Sequence, residues 1–235
     1  FRSNTKPNGG QRWYTIQGQV SAANPTSTMS IYLTQGGRFA SPQATSTEPI
    51  GQVTIRFGDC MHGTMQYSFA DGSGSSGTMP LTRLDSNVTC GTGGDSGAAG
   101  SNYLLSGAWA DPATEGQGLV FDINPPQQNL FAAWYTYAAD AAPGGGPPAQ
   151  RWYTLQAIIA PGASSVADIG IYDTTGGVFE RPTPVTTRPV GTASLVFHSC
   201  TSATLAYHFT SGANSGLDGT LDLARIGPTP AGCQL

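Results

Sequence analysis

Charge is scarce in this chain: among 235 residues, Lys and Arg number 10 and Asp and Glu 14. So few charges exclude a coiled coil or a long solvated helix. The basic residues stand singly, and the net charge is -4. That removes the electrostatic footprint of a nucleic-acid or anionic-membrane binder. No apolar run approaches the roughly 20 residues that a membrane span needs. No segment carries a helical period, and no Gly-rich loop opens a helix as a phosphate site requires. The four cysteines, Cys60, Cys90, Cys200 and Cys233, include no Cys-x-x-Cys and have no histidine at metal spacing. Zinc, redox chemistry and any other cofactor or metal are therefore not expected. What abounds is Gly, at 32 residues, and Pro, at 17, with hydrophobic residues at 38% and aromatics at 9%. That is enough apolar surface for a core.

Self-similarity organises the chain. Arg12-Trp-Tyr-Thr-Ile-Gln17 recurs as Arg151-Trp-Tyr-Thr-Leu-Gln156. In the same order, Ile31-Tyr32, Gly36-Gly37-x-Phe39 and Pro42 match Ile171-Tyr172, Gly176-Gly177-x-Phe179 and Pro182. Phe57, Cys60, Tyr67, Phe69 and Leu81-x-Arg83 then match Phe197, Cys200, Tyr207, Phe209 and Leu223-x-Arg225, before Cys90 answers Cys233. The offset is nearly constant, so the two copies are expected to share a fold. The repeat favours disulfides Cys60–Cys90 and Cys200–Cys233, which persist outside the cytosol. Residues 91–104, rich in Gly, Ser and Ala, read as a linker. The chain divides into a first copy over 1–90 and a second over 105–235. The second copy has a leader absent from the first: Gly107-Ala-Trp-Ala110, Gly118–Asn124 and Asn129–Ala138. The first copy is expected to have lost these strands, to be supplied by upstream sequence or by another chain. Phe1, with no start methionine, reads as the start of a processed or excised segment.

The segments are short, β-branched or aromatic, and bounded by Gly, Pro, Asn or Asp, as strands are. Eight in the second copy predict an up-and-down antiparallel β-barrel, and the whole chain an all-β tandem of two such barrels, the first incomplete. Paired β-sandwiches are the alternative. Alternation sets Val53, Ile55 and Phe57 against Thr54 and Arg56. It sets Tyr14, Ile16 and Val20 against Trp13, Thr15, Gln17 and Gln19, and Tyr153, Leu155 and Ile159 against Trp152, Thr154 and Gln156. Trp13, Trp152, Trp134, Tyr32 and Tyr172 are therefore the candidate binding or packing aromatics. Their expected roles are a covered barrel wall, a surface between copies or chains, or a platform for a sugar ring.

The pattern Gly107-x-Trp109-x-x-Pro112, Gly116-Gln117-Gly118, Trp134-Tyr-Thr-Tyr137, Arg151-Trp-Tyr153, Gly176-Gly177-x-Phe179, Gly191-Thr192, Phe197 and Cys200 resembles a tandem β-rich module of secreted proteobacterial proteins. The resemblance implies an extracellular location and modularity, and no catalytic residues. Gln117 stands where that module usually carries an acidic residue, which argues against a cation at this corner. The strand order is avidin-like by architectural analogy only.

Catalytic readings fare poorly. Gly94-Asp95-Ser96-Gly97 resembles a serine-protease segment, but His62 lies too near in sequence for a two-barrel triad, and the string sits in the linker. His198 and His208 fall on Gly58 and Ser68 of the first copy, so a function common to both copies cannot use histidine. Asp111 and Glu115 lie in a turn where nothing builds a cleft. The expectation is a secreted, non-enzymatic structural or assembly module, a filament or surface-layer subunit completed by strands from a neighbouring chain. It would associate with itself or with another extracellular protein, without nucleic acid and without a membrane span. The alternative is an extracellular carbohydrate- or ligand-binding module using its exposed aromatics.

Overall fold

The computed structural model describes residues 11–21, 23–84, 101–140, 149–179 and 183–235, and among these the chain is all-β. Five strands, β1 (Thr15–Ile16), β2 (Thr26–Gln35), β3 (Ser46–Phe57), β4 (His62–Phe69) and β5 (Ser76–Thr82), form one antiparallel sheet in sequence order. Eight more follow: β6 (Gly107–Ala110), β7 (Gly118–Asn124), β8 (Asn129–Tyr137), β9 (Gln150–Ile158), β10 (Ser165–Thr175), β11 (Thr186–Phe197), β12 (Ser202–Phe209) and β13 (Asp218–Arg225). These close into a barrel, the last contact being β13 on β6 through Ala224↔Ala110 and Arg225↔Trp109. A sandwich is thereby excluded for the second half. The expected second barrel is not confirmed: the first half is the five-stranded sheet, because nothing in the described residues bridges β5 back to β1.

Residues matched in sequence are also matched in pairing. Val53↔Tyr67 and Phe57↔Gly63 in the sheet answer Ala193↔Tyr207 and Phe197↔Ala203 in the barrel. Gly63↔Leu81 answers Ala203↔Leu223, and Thr15↔Tyr32 answers Thr154↔Tyr172. Gly51 and Gly191 share one constraint, since a Cβ at either would run into the neighbouring strand's backbone, at the Ser68 or His208 carbonyl.

Alternation decides what is buried. In the barrel Tyr153, Leu155, Ile171, Leu195, Phe197, Leu205, Phe209 and Leu223 point inward and are almost wholly buried, while Ile158 is 81% exposed. The interior is packed with side chains, as a small barrel should be. The expected facing fails at β1. Trp13 is buried, while Ile16 and Val20, assigned to the apolar side, are exposed. Only two residues of this segment join the ladder, so the pleat that fixes sidedness over a long strand does not extend to Trp13 or Val20. Cys200 and Cys233 form the expected disulfide. Cys60 is also disulfide-bonded, and the pairing expected for it, with Cys90, lies outside the described residues.

Candidate functional site

Two features of the fold have no purpose in a self-sufficient barrel. The first is a plug. The segment Gln35–Thr45, which follows β2 of the sheet, clusters with the barrel. Its Phe39 is only 6% exposed and joins the barrel core, with its ring 5.4 Å from Trp134, 5.4 Å from Tyr207 and 5.6 Å from Phe209. Ring separations in this range favour tilted and edge-on pairs, which is what these are.

Polar groups hold the plug in place. The Phe39 N–H donates to the Ala138 carbonyl (3.4 Å), and Arg38 Nε donates to the Ala139 carbonyl (2.7 Å). Gln117 brackets the turn: its Nε2 donates to the Arg38 carbonyl (3.0 Å), while its Oε1 accepts from the Ala40 N–H (3.2 Å) and the Thr136 hydroxyl (2.6 Å). An amide can donate and accept at once, whereas a carboxylate only accepts. The glutamine therefore suits this bracket where an acidic residue would not. A Cβ on Gly37 would overlap the Tyr137 ring, so the turn can lie against that ring only as glycine.

The second feature is a difference at the disulfide-bearing end of the two sheets. In the barrel, Trp109 of β6 is fully buried against Phe197 (5.4 Å) and Phe121 (6.4 Å), and its Nε1–H donates to the Leu105 carbonyl (3.1 Å). The Arg225 guanidinium lies 4.6 Å over the Trp109 ring. It donates from Nε to the Cys200 carbonyl (2.7 Å), from Nη1 to Ser106 (2.9 Å) and from Nη2 to Leu104 (2.8 Å). Leu104 and Leu105, in the short 3-10 turn Asn102–Leu105, are buried beside it. One arginine thus holds the entering leader segment by two main-chain carbonyls and a ring face, and ties it to the β11–β12 turn through the third carbonyl, that of Cys200.

The matched position in the sheet is Arg83, and its surroundings differ. Its backbone N–H donates to Met61 (2.9 Å) as that of Arg225 does to Thr201 (3.1 Å). Yet Arg83 Nε is buried with no acceptor. Around it opens a cleft of about 840 Å³, whose lining includes Phe57, Met61, Leu81 and Arg83. Phe57 is 44% exposed where its match Phe197 is 3%. Leu81 is half-buried where Leu223 is buried, and Met65 and Met79 are half-buried where Leu205 and Leu221 are buried. Sequence reasoning matched Leu81-x-Arg83 to Leu223-x-Arg225 but gave neither arginine a role. It also recorded Gly36-Gly37-x-Phe39 without seeing that it inserts into the barrel. The recurrence of each motif was the available signal.

The aromatics named from the sequence separate into two groups. Trp13 and Trp134 are buried, as packing residues are. Trp152, Tyr32 and Tyr172 are half-buried, on β9, β2 and β10. The Trp152 N–H donates to Gln11 Oε1 (3.0 Å), and the Gln11 amide donates to Asp173 Oδ1 (2.9 Å). The catalytic candidates do not converge. His62 pairs with Asp59 (3.0 Å) in an exposed turn, where a hydrogen bond from the Met61 N–H and then the His62 contact lower the Asp59 pKa. His198 Nε2 lies 2.9 Å from Thr204 Oγ1 on the outer wall. Asp111 caps its own turn by accepting from the Ala113 N–H, and Glu115 is exposed. Ser96 lies outside the described residues. Among the described residues, no cluster of His, Cys, Asp and Glu could hold a metal ion, and no helix is long and apolar enough to cross a membrane.

No family model matches the chain, and comparisons with curated proteins and with solved structures find no match either.

Proposed function

We propose that this chain is a non-enzymatic extracellular structural or assembly module, a filament or surface-layer subunit whose open sheet is completed by strands from a neighbouring chain. The observation that carries this reading is the contrast between two sets of strands with the same pairings. β9–β13 are closed by β6–β8, while among the described residues β1 and β5 are the edges of the sheet β1–β5. An unpaired edge is a template for another chain, and strand donation is an established mode of assembly. The Phe39 plug supports the same reading, since it shows a barrel core that incorporates a loop from outside its own strands. The disulfide Cys200–Cys233 suits an oxidising compartment, which supports secretion, as does the resemblance to modules of secreted proteins.

The test places a second copy of residues 102–137, which spans β6–β8, ahead of Phe1 through a flexible linker. Amide exchange is then followed at Thr15–Ile16 and Ser76–Thr82. Closure should slow exchange along both edges and raise the unfolding midpoint of the sheet. Unchanged exchange at both edges would refute strand completion. The glycan-binding alternative retains Trp152 with Tyr172 as surface aromatics, since Trp13 and Trp134 are buried.

A further inference from the structure

We infer that the cleft around Arg83 is the acceptor for a leader segment of the type Leu-Leu-Ser-Gly-x-Trp, carried by a neighbouring chain of another sequence, and that Arg83 is the anchor that reads it. This rests on the strand-completion reading and specifies its recognition step. The barrel shows what fills the matched site. Leu104, Leu105 and Trp109 occupy the space bounded by Phe197, Leu223 and Arg225. The sheet presents Phe57, Leu81 and Arg83 at the same positions around an open cleft.

Three needs of the cleft are met at once by such a segment. In the barrel the arginine's Nη1 and Nη2 donate to the leader carbonyls of Ser106 and Leu104, while its Nε is taken by Cys200 of its own sheet. Arg83, whose Nε is buried without an acceptor, carries the same fork to such a segment. The exposed ring of Phe57 lacks the edge-on indole that covers Phe197. The guanidinium face takes an indole in the barrel, and tryptophan is the best aromatic partner for a cation. Charge-assisted bonds from one arginine to several carbonyls are strong and directional. Lysine cannot reproduce that planar fork. A second copy of this chain is a poor donor, because its own Leu104–Trp109 is already seated on Arg225.

The experiment uses the full chain and a labelled synthetic peptide with the sequence of residues 101–124, measured by fluorescence anisotropy and by amide exchange at Ser76–Thr82. The peptide should bind one to one and slow exchange along β5. Trp109→Ala within the peptide should weaken binding by about tenfold or more. Arg83→Lys in the chain should weaken it by about tenfold, and this variant should leave the barrel's unfolding unchanged. Equal binding of the two peptides would overturn the assignment, and the peptide substitution cannot be confounded by misfolding of the chain. A longer peptide, residues 101–137, separates the two levels. If it protects the β1 and β5 edges equally well with and without Trp109, strand completion stands and the Arg83 anchor falls. If neither form protects the edges, both fall. Dimers of the chain alone that the peptide dissolves would make a second copy the donor and overturn the assignment to a different chain.

Discussion

Replacing Phe39 by alanine tests whether the plug is part of the barrel's stability or an incidental contact. Burying a phenylalanine side chain is worth about 1.5–3 kcal/mol in transfer free energy. The three ring pairs each add about 0.5–1.5 kcal/mol beyond the area term, and a rigid site would add a cavity cost, giving about 3–5 kcal/mol for Phe→Ala. The low end applies here. Phe39 arrives on a turn held by a few hydrogen bonds, one each to the Ala138 and Ala139 carbonyls and two with the Gln117 amide, so the turn can withdraw and let the mouth relax. The expected loss is about 3 kcal/mol, or roughly 10 °C in unfolding midpoint for a domain of this size. Urea unfolding followed by tryptophan emission is the assay, because Trp134 lies 5.4 Å from the ring and reports its removal directly. Phe57→Ala is the control. That side chain is 44% exposed, and its truncation should cost less than about 1 kcal/mol. A cycle of Phe39→Leu with Phe209→Leu should show a coupling of about 0.5–1.5 kcal/mol. A Phe39→Ala variant that lost less than about 1 kcal/mol with unchanged Trp134 emission would refute the argument that the barrel core includes this loop.

Three further outcomes follow from the barrel itself. Tyr153 has a buried hydroxyl without a partner. Tyr153→Phe, measured by urea unfolding, should therefore leave stability unchanged or raise it by about 1 kcal/mol, since the desolvation cost of the hydroxyl disappears. Burial also raises the phenol pKa of Tyr137 and of Tyr153, the latter further through Asp173. The unfolded phenols ionise near the ordinary tyrosine value of about 10, so above that pH the unfolded state holds fewer protons. Unfolding midpoints should stay level below about pH 9 and fall above about pH 10, with a shallower fall in Tyr153→Phe. Cys200 and Cys233 are separated by 33 residues. Replacing both by alanine should cost about 3–4 kcal/mol through the freed unfolded chain, read as a lower urea midpoint than that of the oxidised chain.

Much of the fold was legible in the sequence because it depends on local alternation. Tyr153 and Leu155 against Trp152 and Gln156 set the strand faces, and the sequential order of turns pointed to an up-and-down barrel while leaving a sandwich open. The Cys200–Cys233 pairing was legible because the repeat singled it out. What was hidden depends on contacts distant along the chain. Phe39 and Trp134 are far apart in sequence, and no periodicity links them. The stacking of Arg225 on Trp109 closes the barrel between its last and first strands. Trp13 misled because alternation was read along a segment of which only Thr15 and Ile16 pair. The open Arg83 cleft was hidden for a different reason. The residues that line it are those that line the filled site, so only the structure shows which of the two is occupied.

The count of strands limits how such a module can grow. The described residues hold two five-strand sets, β1–β5 and β9–β13, and one three-strand set, β6–β8, that closes the second. Moving β6–β8 onto the sheet of another copy would break the β13–β6 and β8–β9 ladders and remove Trp109 from Arg225. The same kinds of bonds would form elsewhere, so the exchange gains nothing in contacts and still loses the freedom of two molecules made one. Swapping among identical copies therefore closes no additional sheet and supplies no drive to polymerise. On the strand-completion reading, the sheet β1–β5 needs strands additional to β6–β8. The chain alone should stay monomeric by sedimentation at concentrations where the 101–137 segment gives a one-to-one complex. Fibres grown from residues 1–235 without any donor would mean that the edges pair in some other way, and that Arg83 is not the point at which assembly begins.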